Sequence, residues 1–587
     1  MKIYKDDYKH FRTCQKLSWF LKGKNYKLAK SLIEEKSIIN FVELTHTETS
    51  SKFNTNLITI ADFQDNQFYN SESFDSQKDD SEFYLGETIA DGVETGKYAQ
   101  DYFKRKFTSF NLENYDYIKT MEIINDKAYD VLFEPRFEYD GCITKCDILK
   151  RNNDGWDLIE IKAVTWVKEE HMWDLLYQYD ILTKCGINIA NTHIMYINNN
   201  YVRQETLDLD ELFIPNGTTW QKSPKTKKNF NLYDSIQDEL LKYNLQLEYQ
   251  KLRNIMEMDD KETIIAFLTS PYCHENDTTF CSHIFKYFPI HNSIFELYRL
   301  RKTKKALWYY EEQLLAINDE RIWPFITKSD LHLRQYDVIK NGEKLIDPNK
   351  FVDLKIEYKK YQYPVYMYDF ETMKSAIPKF KNSTPYQQIP FQYSIHVLLN
   401  PDFDFKTNYN IVHYEFLADG NSDPRFLLTK NLCHDLLKIH GQGTYVAYNQ
   451  SFEKSVIKKL AFWYPEFKHQ LAQIHDGTID LQDFFKGFKI YKEQFYGSLS
   501  IKKTLPAFES AFSYEDLAIK KGDMASEAFR RRVEDNISLT NWNHNFRDNM
   551  LKYCARDTLG MVVLFWHIKV IIENYQIQLD DEVLIVK

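Results

Sequence analysis

Hydrophobic periodicity divides the first part of the chain into helical and strand-like stretches. Apolar positions repeat at helical spacing over residues 1–50 and again over residues 87–107, and a polar, acidic loop or disordered insert is predicted at residues 63–83. Turn signals rich in Asp, Asn and Gly then separate three strand-like runs. The three runs are Tyr129–Phe137, Cys142–Lys150 and Trp156–Val164. A helix containing Leu175–Leu182 and a strand at His193–Ile197 are predicted to follow.

The second part of the chain begins with helical periodicity and then alternates strands with helices. Residues 215–230 are basic and predict a loop, whereas residues 233–341 are mostly helical in pattern. Further helices are predicted at Ser451–Phe462 and, over a long stretch, at Asn545–Asn574. Four strand-like runs accompany them: Tyr363–Phe370, Phe391–Leu398, Tyr409–Phe416 and Gly443–Tyr448. Strands and helices in both halves predict an α/β protein.

The length of the chain, 587 residues, exceeds what one hydrophobic core usually serves, so two or three domains are expected. We place a first domain at 1–215, a mostly helical connector at 216–355 and a last domain at 356–587. No run of eighteen apolar residues occurs, and the mean hydropathy of -0.53 argues against a membrane span. The N-terminus lacks the apolar run of a signal peptide, and the eight cysteines are scattered, so a cytoplasmic protein is expected.

The net charge of -10 counts mildly against a protein that passively coats nucleic acid, because such proteins usually present a basic face. It does not count against an enzyme that binds metal ions through carboxylates, because those carboxylates are themselves negative. Several basic runs fit either a solvated face, which is the favoured interpretation, or contacts to phosphates. These runs are Lys222 to Lys228, Arg299 to Lys305 and Arg530 to Arg532, whereas Lys502 with Lys503 fits a solvated pair and a contact to the substrate backbone equally well.

Residues with the chemistry of a metal site occupy the strand pair and helix of the first half. Asp147 and Glu160 fall on neighbouring predicted strands of a hairpin, and Lys162 shares a face with Glu160. Two carboxylates at one point can bind Mg²⁺ or Mn²⁺, which activates water against a phosphodiester. Lys162 would stabilise the developing charge, Gln178 would align the group, and Glu134 is a candidate outer carboxylate. Taken alone, this spacing also fits a surface ion pair.

A second acidic set lies in the last part of the chain. Asp369 and Glu371 alternate on a predicted strand, and Tyr553 and Asp557 are four apart on a predicted helix, so each pair shares a face. Glu453 opens another helix. Four carboxylates on converging elements can hold two divalent ions about 4 Å apart, which clamp the attacking water and the leaving oxygen. Tyr553 would hold the water.

The first set lies in a string that resembles a known nuclease family. The segments FEPRFEYDGCITKCDILKRNNDGWDLIEIKA and HMWDLLYQYDIL are similar to the RecB-like branch of the PD-(D/E)XK nucleases over residues 80–200. The resemblance implies a restriction-endonuclease-like fold and assigns the metal and catalytic roles to Asp147, Glu160, Lys162 and Gln178. That family often carries Gly-x-x-x-His upstream, and here Gln100 stands at the histidine position.

The second set follows the motif order of another nuclease family. Asp-x-Glu, Asn-x-x-x-acid and Tyr-x-x-x-Asp occur as in the DnaQ-like exonucleases, over residues 360–575. The resemblance implies an RNase H-like fold, two metal ions and trimming of a single-stranded end in the 3′ to 5′ direction. Glu453 stands where that family usually has aspartate. Asp480, in TIDLQDFF, either contributes to the site or caps a turn.

A more specific resemblance carries no activity with it. The strings MYDFETMKSAIP, PYQQIPFQYSIH, YNQSFEKSVI, YGSLSIKKTLPAF and YCARDTLGMV are similar to a bacterial family called domain of unknown function 2779. In that family a RecB-like first half is typical. The expectation of nuclease activity therefore rests on the acidic residues.

Three cysteines raise the question of an iron–sulfur cluster. Some RecB-like nucleases hold a cluster with one early and three late cysteines, which here matches Cys14, Cys273 and Cys281. Tyr287 stands at the expected fourth place, and three thiolates rarely hold a cluster. His274 and His283 do not complete a convincing zinc set. Buried thiols without a cluster are the favoured interpretation.

These observations predict a cytoplasmic, metal-dependent nuclease with two active domains, acting on nucleic acid with DNA favoured over RNA. The alternative from another class is a nucleic-acid-binding or scaffold protein in which one or both sites are inactive. Gln100 and Glu453, which depart from the family patterns, keep that alternative open. A role in phage defence would change the context but not the chemistry.

Overall fold

The elements that carry the predicted sites are present in a computed structural model of the protein. The structure describes residues 1–22, 25, 28, 87–225, 228–270, 272–274, 281, 292–300, 307–308, 312, 314, 316–342, 345–512, 517–519, 522–534 and 537–586. The predictions for the rest of residues 1–50 and for the polar insert lie outside these residues.

The chain forms two compact units, each built from more than one segment. The first unit comprises Met1–Pro289, Lys302–Leu307 and Ser375–Gln387. The second comprises Ile290–Arg301, Trp308–Lys374 and Gln388–Lys587. Several sheets and many helices confirm the predicted mixed α/β class. The predicted domain boundaries stay predictions, and no helix among the described residues is long and apolar enough to cross a membrane.

The first unit contains helices on both sides of a mixed sheet. Its helices are α1 (Lys5–Thr13), α2 (Gln15–Phe20), α3 (Glu87–Lys104), α4 (Tyr117–Asn125), α5 (Glu169–Lys184), α6 (Leu209–Leu212), α7 (Leu232–Lys242), α8 (Leu245–Met256) and α9 (Lys261–Thr269). Its strands are β1 (Ile3–Tyr4), β2 (Ser109–Asn111), β3 (Val131–Phe133), β4 (Arg136–Tyr139), β5 (Cys142–Lys145), β6 (Ile148–Asn152), β7 (Gly155–Lys162), β8 (Ile189–Ile197), β9 (Phe213–Gly217), β10 (Thr219–Gln221) and β11 (Asn229–Asn231).

The main sheet of the first unit has the order β2-β3-β6-β7-β8-β9. β6 and β7 form the predicted hairpin, whereas β7 and β8 run parallel and are connected through α5. Residues 156–160 of β7 are all buried, as expected for a central strand that is covered on both faces. A smaller sheet has the order β1-β5-β4. Because β7 is a central strand, the position of the acidic residue Glu160 on it is well defined.

Two of the predicted strands are each divided, in the structure, into two shorter strands that belong to different sheets. Tyr129–Phe137 divides into β3 and β4, with Glu134 at a positive φ of 55° in the break. Cys142–Lys150 divides into β5 and β6, and Asp147 lies in that break, so its placement within a strand was wrong. The Glu134 N–H donates to the Asp147 carbonyl at 3.1 Å, which sets the two breaks side by side. The chain leaves one sheet for another here, and alternating hydrophobicity continues through the change.

The basic segment at residues 215–230 was predicted as a loop, but it contains paired strands. β10 and β11 form an antiparallel ladder, and the Trp220 ring stacks on the Phe230 ring with centroids 4.5 Å apart. Such a cross-strand aromatic pair stabilises a short hairpin. The lysines of this segment concealed the strand pattern.

The second unit is a five-stranded sheet covered by helices on both faces. Its strands are β12 (Val365–Met373), β13 (Ile389–Leu398), β14 (Ile411–Leu417), β15 (Thr444–Ala447) and β16 (Thr478–Asp480). Its helices are α10 (Trp323–Ile326), α11 (Asp330–Asn341), α12 (Phe351–Tyr358), α13 (Arg425–Leu437), α14 (Ser451–Trp463), α15 (Lys468–Gly477), α16 (Ile501–Phe508), α17 (Gly522–Val533), α18 (Leu539–Asn541) and α19 (Arg547–Val586). The four predicted strands and both predicted helices of this part are confirmed, and α19 extends beyond the predicted end.

The sheet of the second unit has the order β14-β13-β12-β15-β16. β12, β13 and β14 are antiparallel neighbours, whereas β15 and β16 extend the sheet in parallel from β12. Successive residues of β12 enter different cores: Val365 and Met367 pack with α19, and Tyr366 and Tyr368 pack with α13 and α14. The central strand is therefore held from both faces, and it carries two of the predicted acids.

Candidate active sites

The acidic residues predicted in the second unit come together around β12. Asp369 and Glu371 lie two apart on this strand, opposite Ser394 and Gln392 of β13. Glu453 lies in the first turn of α14, and its carboxyl group acts electrostatically on Asp369. Asp557, on α19, acts electrostatically on both Asp369 and Glu371. We call Asp369, Glu371, Glu453 and Asp557 the carboxylate cluster.

The carboxylate cluster holds more negative charge than its surroundings neutralise. Burial raises the pKa of Asp369 and of Glu371 well above their usual values, and the neighbouring Asp557 raises both further. Burial also raises the pKa of Glu453 to about 7. Lys502 is the cation that lowers the pKa of Glu371. Oε2 of Glu453 is buried and accepts no hydrogen bond from any described residue. An all-oxygen donor set with excess charge and an unused oxygen fits a hard divalent cation.

Tyr553 lies beside the cluster, one helical turn before Asp557 on α19, and is 4% exposed. A Cβ added to Gly522 would lie 3.2 Å from Oε2 of Glu371 and 3.8 Å from the Tyr553 hydroxyl, so the start of α17 closes over both side chains. The Lys502 ammonium lies 5.9 Å from the centroid of the Tyr553 ring. This placement fits the predicted role of Tyr553 in holding a water molecule.

Sequence reasoning missed Cys554 in this site. Its Sγ and carboxylate oxygens of Asp369 and Glu371 all lie within 4.8 Å of one another. Burial raises the pKa of the Cys554 thiol well above its usual value, and Asp369 and Glu371 raise it further. Cys554 therefore stays a neutral thiol that limits the space behind the two acids. Its position directly after Tyr553 in YCARD was the available signal, but a cysteine next to a tyrosine is not specific.

Asp480 caps a turn, which is one of the two roles that the sequence left open for it. Its carboxylate accepts the N–H groups of Asn449 at 2.8 Å and Gln482 at 3.0 Å, and it pairs with Lys486 at 2.7 Å. Asp480 thus caps the turn after β16 and holds Asn449, which has a positive φ of 63° between β15 and α14. Through this contact Asp480 orients the start of the helix that carries Glu453.

A cavity of about 750 Å³ adjoins this part of the second unit. Asn449, Ser500 and Ile501 line it together with Arg299 and Lys486. Asn449 begins the turn that leads to Glu453, and Ile501 precedes Lys502, so the cavity lies next to segments that carry the cluster. Its volume is within the range that accommodates a small ligand such as a nucleotide.

The predicted residues of the first unit also meet. Glu160, on β7, is 1% exposed and accepts hydrogen bonds at Oε1 from Lys162 at 2.8 Å and from Lys5 at 2.6 Å. Its Oε2 accepts from Gln178 of α5 at 2.7 Å. Burial alone would raise the pKa of Glu160, but Lys162 and Lys5 together lower it to about 2. Glu160 is therefore ionised and fully paired.

Asp147 faces Glu160 from the break between β5 and β6. Its Oδ2 accepts the Ile161 N–H at 2.6 Å, which places it beside the carboxylate of Glu160. Burial raises the pKa of Asp147 to about 7, and the charge of Glu160 contributes to this increase. Glu134 also raises it, but the Glu134 carboxylate pairs with Lys145 at 3.3 Å and lies in an outer position.

Two participants in the first site were not predicted. Asp174 of α5 pairs with Lys162 at 2.6 Å and with Lys9 at 3.7 Å. Its position one helical turn before Gln178 was a usable signal, since residues four apart share a face. Lys5, on α1, carried no signal because its contact depends on how the N-terminal helix packs. Asp147, Glu160 and the buried Oε1 of Gln178, which has no hydrogen-bond partner among the described residues, fit one hard cation, although Lys5 already occupies an oxygen of Glu160.

Comparisons with known proteins confirm, for part of the chain, the resemblance to domain of unknown function 2779. Residues 366–500 match the model of a family described as Domain of unknown function (DUF2779). An uncharacterized protein of Ureaplasma parvum is 23% identical, with 97% of this chain and 98% of that protein covered. An uncharacterized protein of Mycoplasma genitalium is 24% identical, with 78% of this chain and 80% of that protein covered. No solved structure matches the chain. Residues 366–500 are thus similar to the DUF2779 family, and the chain is similar over most of its length to uncharacterized proteins of Ureaplasma and Mycoplasma.

Proposed function

We propose that the protein is a metal-dependent nuclease that hydrolyses phosphodiester bonds of nucleic acid, with DNA favoured as substrate. The observation that carries the proposal is the carboxylate cluster: four acids from three separate elements, two of them buried and two half-buried, lie close enough to repel one another. Such an arrangement is costly for folding unless a cation binds there. Residues kept at a cost to stability are a mark of function.

The second unit would act as an exonuclease with an RNase H-like fold of the DnaQ type. In its favour, a five-stranded sheet with three antiparallel and two parallel strands is covered by helices on both faces, and the acids gather on its central strand. The predicted order of motifs is preserved on β12, α14 and α19. Trimming of a single-stranded end, 3′ to 5′, follows from this assignment.

The chemistry assigns distinct roles to the side chains. Asp369, Glu371, Glu453 and Asp557 would hold two Mg²⁺ or Mn²⁺ ions, which when bound supply positive charge to the phosphate and lower the pKa of water. The Tyr553 hydroxyl would orient the attacking water by a hydrogen bond. The Lys502 ammonium would contact a phosphate oxygen of the substrate, where it offsets negative charge in the transition state.

The first unit would be a second nuclease, with a PD-(D/E)XK-like fold. Asp147 and Glu160 would hold one divalent ion, which supplies the same charge stabilisation. Lys162 would then contact the scissile phosphate, while Asp174 keeps the Lys162 ammonium protonated through an ion pair of 2.6 Å. The geometry of β6, β7 and α5 supports this assignment, because it gathers all four predicted residues.

One observation favours the alternative function for the first unit alone. Both oxygens of Glu160 already accept hydrogen bonds, and two of the three donors are ammonium groups. A carboxylate neutralised in this way has less need of a metal ion. In this alternative the first unit binds nucleic acid without cutting it, and only the second unit hydrolyses.

The test is cleavage of 5′-labelled single-stranded DNA and RNA by the purified full chain with Mg²⁺ or Mn²⁺. Asp369→Asn keeps the shape of the side chain and removes its charge, so end trimming should fall at least about 100-fold. Asp402→Asn, at an exposed position of the same unit, is the matched control and should retain activity. Asp147→Asn, measured in the same assay, distinguishes cleavage at the site of the first unit from cleavage at the site of the second. Folded wild-type protein that binds the oligonucleotides but cleaves neither with either metal would refute the proposal.

A further inference from the structure

Three cysteines that are distant in the sequence meet at one point of the first unit. Cys14 connects α1 to α2, whereas Cys273 and Cys281 follow α9. The three Sγ atoms all lie within 4.8 Å of one another, and those of Cys14 and Cys281 are 3.5 Å apart. Cys14 and Cys281 are buried, and Cys273 is half-buried. The sequence favoured buried thiols without a cluster, although the resemblance to RecB-like nucleases had singled out the same three cysteines.

The backbone around Cys14 is tied to the later part of the unit by further contacts. The N–H of Gln15, next to Cys14, donates to the carbonyl of Cys273 at 3.3 Å. The indole of Trp19, on α2, donates to the carbonyl of Met258 at 3.1 Å. These contacts hold the cysteines close together by means that do not depend on the sulfur atoms. The site is therefore preorganised, which lowers the entropic cost of binding a ligand.

A buried cation accompanies the thiols. Lys16 is 1% exposed, and its ammonium donates to the carbonyl of Ser270. The Lys16 ammonium lies near the side chains of Cys14, Cys273 and Cys281. A divalent ion bound by three thiolates leaves one negative charge, and the Lys16 ammonium would neutralise it. A buried lysine is otherwise costly, so this charge balance gives it a reason to be there.

We propose that Cys14, Cys273 and Cys281 bind a single zinc ion through three thiolates, with the fourth tetrahedral position taken by water. Zinc–sulfur bonds are about 2.3 Å long, so two sulfurs on one tetrahedral ion lie about 3.8 Å apart. The Sγ atoms of Cys14 and Cys281, 3.5 Å apart, are close to this separation, and the other two pairs are no more than 4.8 Å apart. In a cubane iron–sulfur cluster each thiolate binds a different iron atom, which spreads the sulfurs further apart. A disulfide would use two of the cysteines and leave Cys273 outside it.

The consequence is a structural cross-link within the first unit. The zinc ion would join the turn between α1 and α2 to the segment after α9. Because α1 carries Lys5 and Lys9, the ion would also fix the helix that supplies two lysines to the first acidic site. The inference does not depend on nuclease activity, since it concerns a separate group of residues.

The experiment is elemental analysis of the full chain, purified under reducing conditions without chelator from cells grown with added zinc. We expect one zinc ion per chain in the wild type and in Cys185→Ser, a half-buried cysteine of the same unit that lies outside the group. Cys281→Ser should lose the ion. Iron with acid-labile sulfide, a disulfide between Cys14 and Cys281, or wild-type protein without bound metal would each overturn the proposal.

A second measurement covers the case in which Cys281→Ser fails to fold. Wild-type protein, stripped of metal and reloaded with Co²⁺, should show the charge-transfer absorption of cobalt–thiolate bonds and the intense visible bands of a tetrahedral site. Cys273→Ser, which changes the half-buried member, should weaken the charge-transfer band and keep the protein folded by circular dichroism. Octahedral cobalt bands without thiolate charge transfer in the wild type would contradict the assignment.

Discussion

Replacing Glu453 by glutamine should stabilise the metal-free protein and remove its response to metal. Glu453 is 4% exposed, and its pKa is raised from 4.5 to about 7, chiefly by burial. This difference corresponds to about 3 kcal/mol of unfolding free energy. Because Asp369 and Glu453 act electrostatically on each other, their titrations are linked, and about 3 kcal/mol is an upper limit for Glu453→Gln.

The direction of the pH effect follows from the raised pKa. The folded protein holds a proton on Glu453 that the unfolded chain releases above its ordinary pKa of 4.5. This contribution to stability is fully present below pH 4.5 and is lost as the pH rises to about 7 and beyond. The benefit of Glu453→Gln in metal-free protein should therefore be larger at pH 8 than at pH 5.

The assay is urea unfolding of the second unit within the full chain, followed at pH 5 and pH 8 with chelator or with Mn²⁺. With Mn²⁺ the order should reverse, because the wild type gains binding energy that Glu453→Gln lacks. Glu466→Gln, an exposed position after α14, is the matched control and should behave as the wild type. Equal stabilisation of both proteins by Mn²⁺, or a metal-free Glu453→Gln variant that is less stable at pH 8, would refute the reasoning.

Three further substitutions separate the roles of individual residues. Tyr553→Phe should keep Mn²⁺ affinity but lower kcat for end trimming by about 100-fold, and an unchanged kcat would show that the hydroxyl does not orient the water. Lys502→Ala should raise KM or lower kcat about 10-fold, whereas Lys503→Ala, the adjacent control, should not. Lys5→Met should increase Mn²⁺ affinity at the first site, measured by calorimetry, because the ammonium competes for Glu160; a decrease would indicate a supporting role for Lys5.

Local patterns predicted the parts of both sites that lie on single elements. Lys162 and Glu160 are two apart on one strand, and Tyr553 and Asp557 are four apart on one helix, so periodicity alone placed each pair on one face. The same reasoning put Asp147 in the wrong local structure, yet the hairpin register still brought it to Glu160. The pairing register of two strands is kept across a local break in one of them. The contact between Asp147 and Glu160 was therefore predicted correctly, although Asp147 does not lie within a strand.

The parts that escaped prediction depend on packing between distant segments. The Lys5 ammonium reaches Glu160 only because α1 packs against α5, and no periodic pattern encodes that contact. Likewise, Cys14 meets Cys281 through the packing of the N-terminal helices on the unit. Sequence spacing predicted neither contact, because a contact between elements adds nothing to the local pattern of either one; only the resemblance to cluster-binding nucleases had grouped the cysteines.

The most direct test of the central claim is a crystal structure of the protein soaked with Mn²⁺, with anomalous scattering measured to locate the ions. The account predicts two manganese ions about 4 Å apart, held by Asp369, Glu371, Glu453 and Asp557. It also predicts that Asp369→Asn crystals lose at least one of them. Manganese absent from these four carboxylates in wild-type crystals, at a concentration that supports cleavage in solution, would contradict the account.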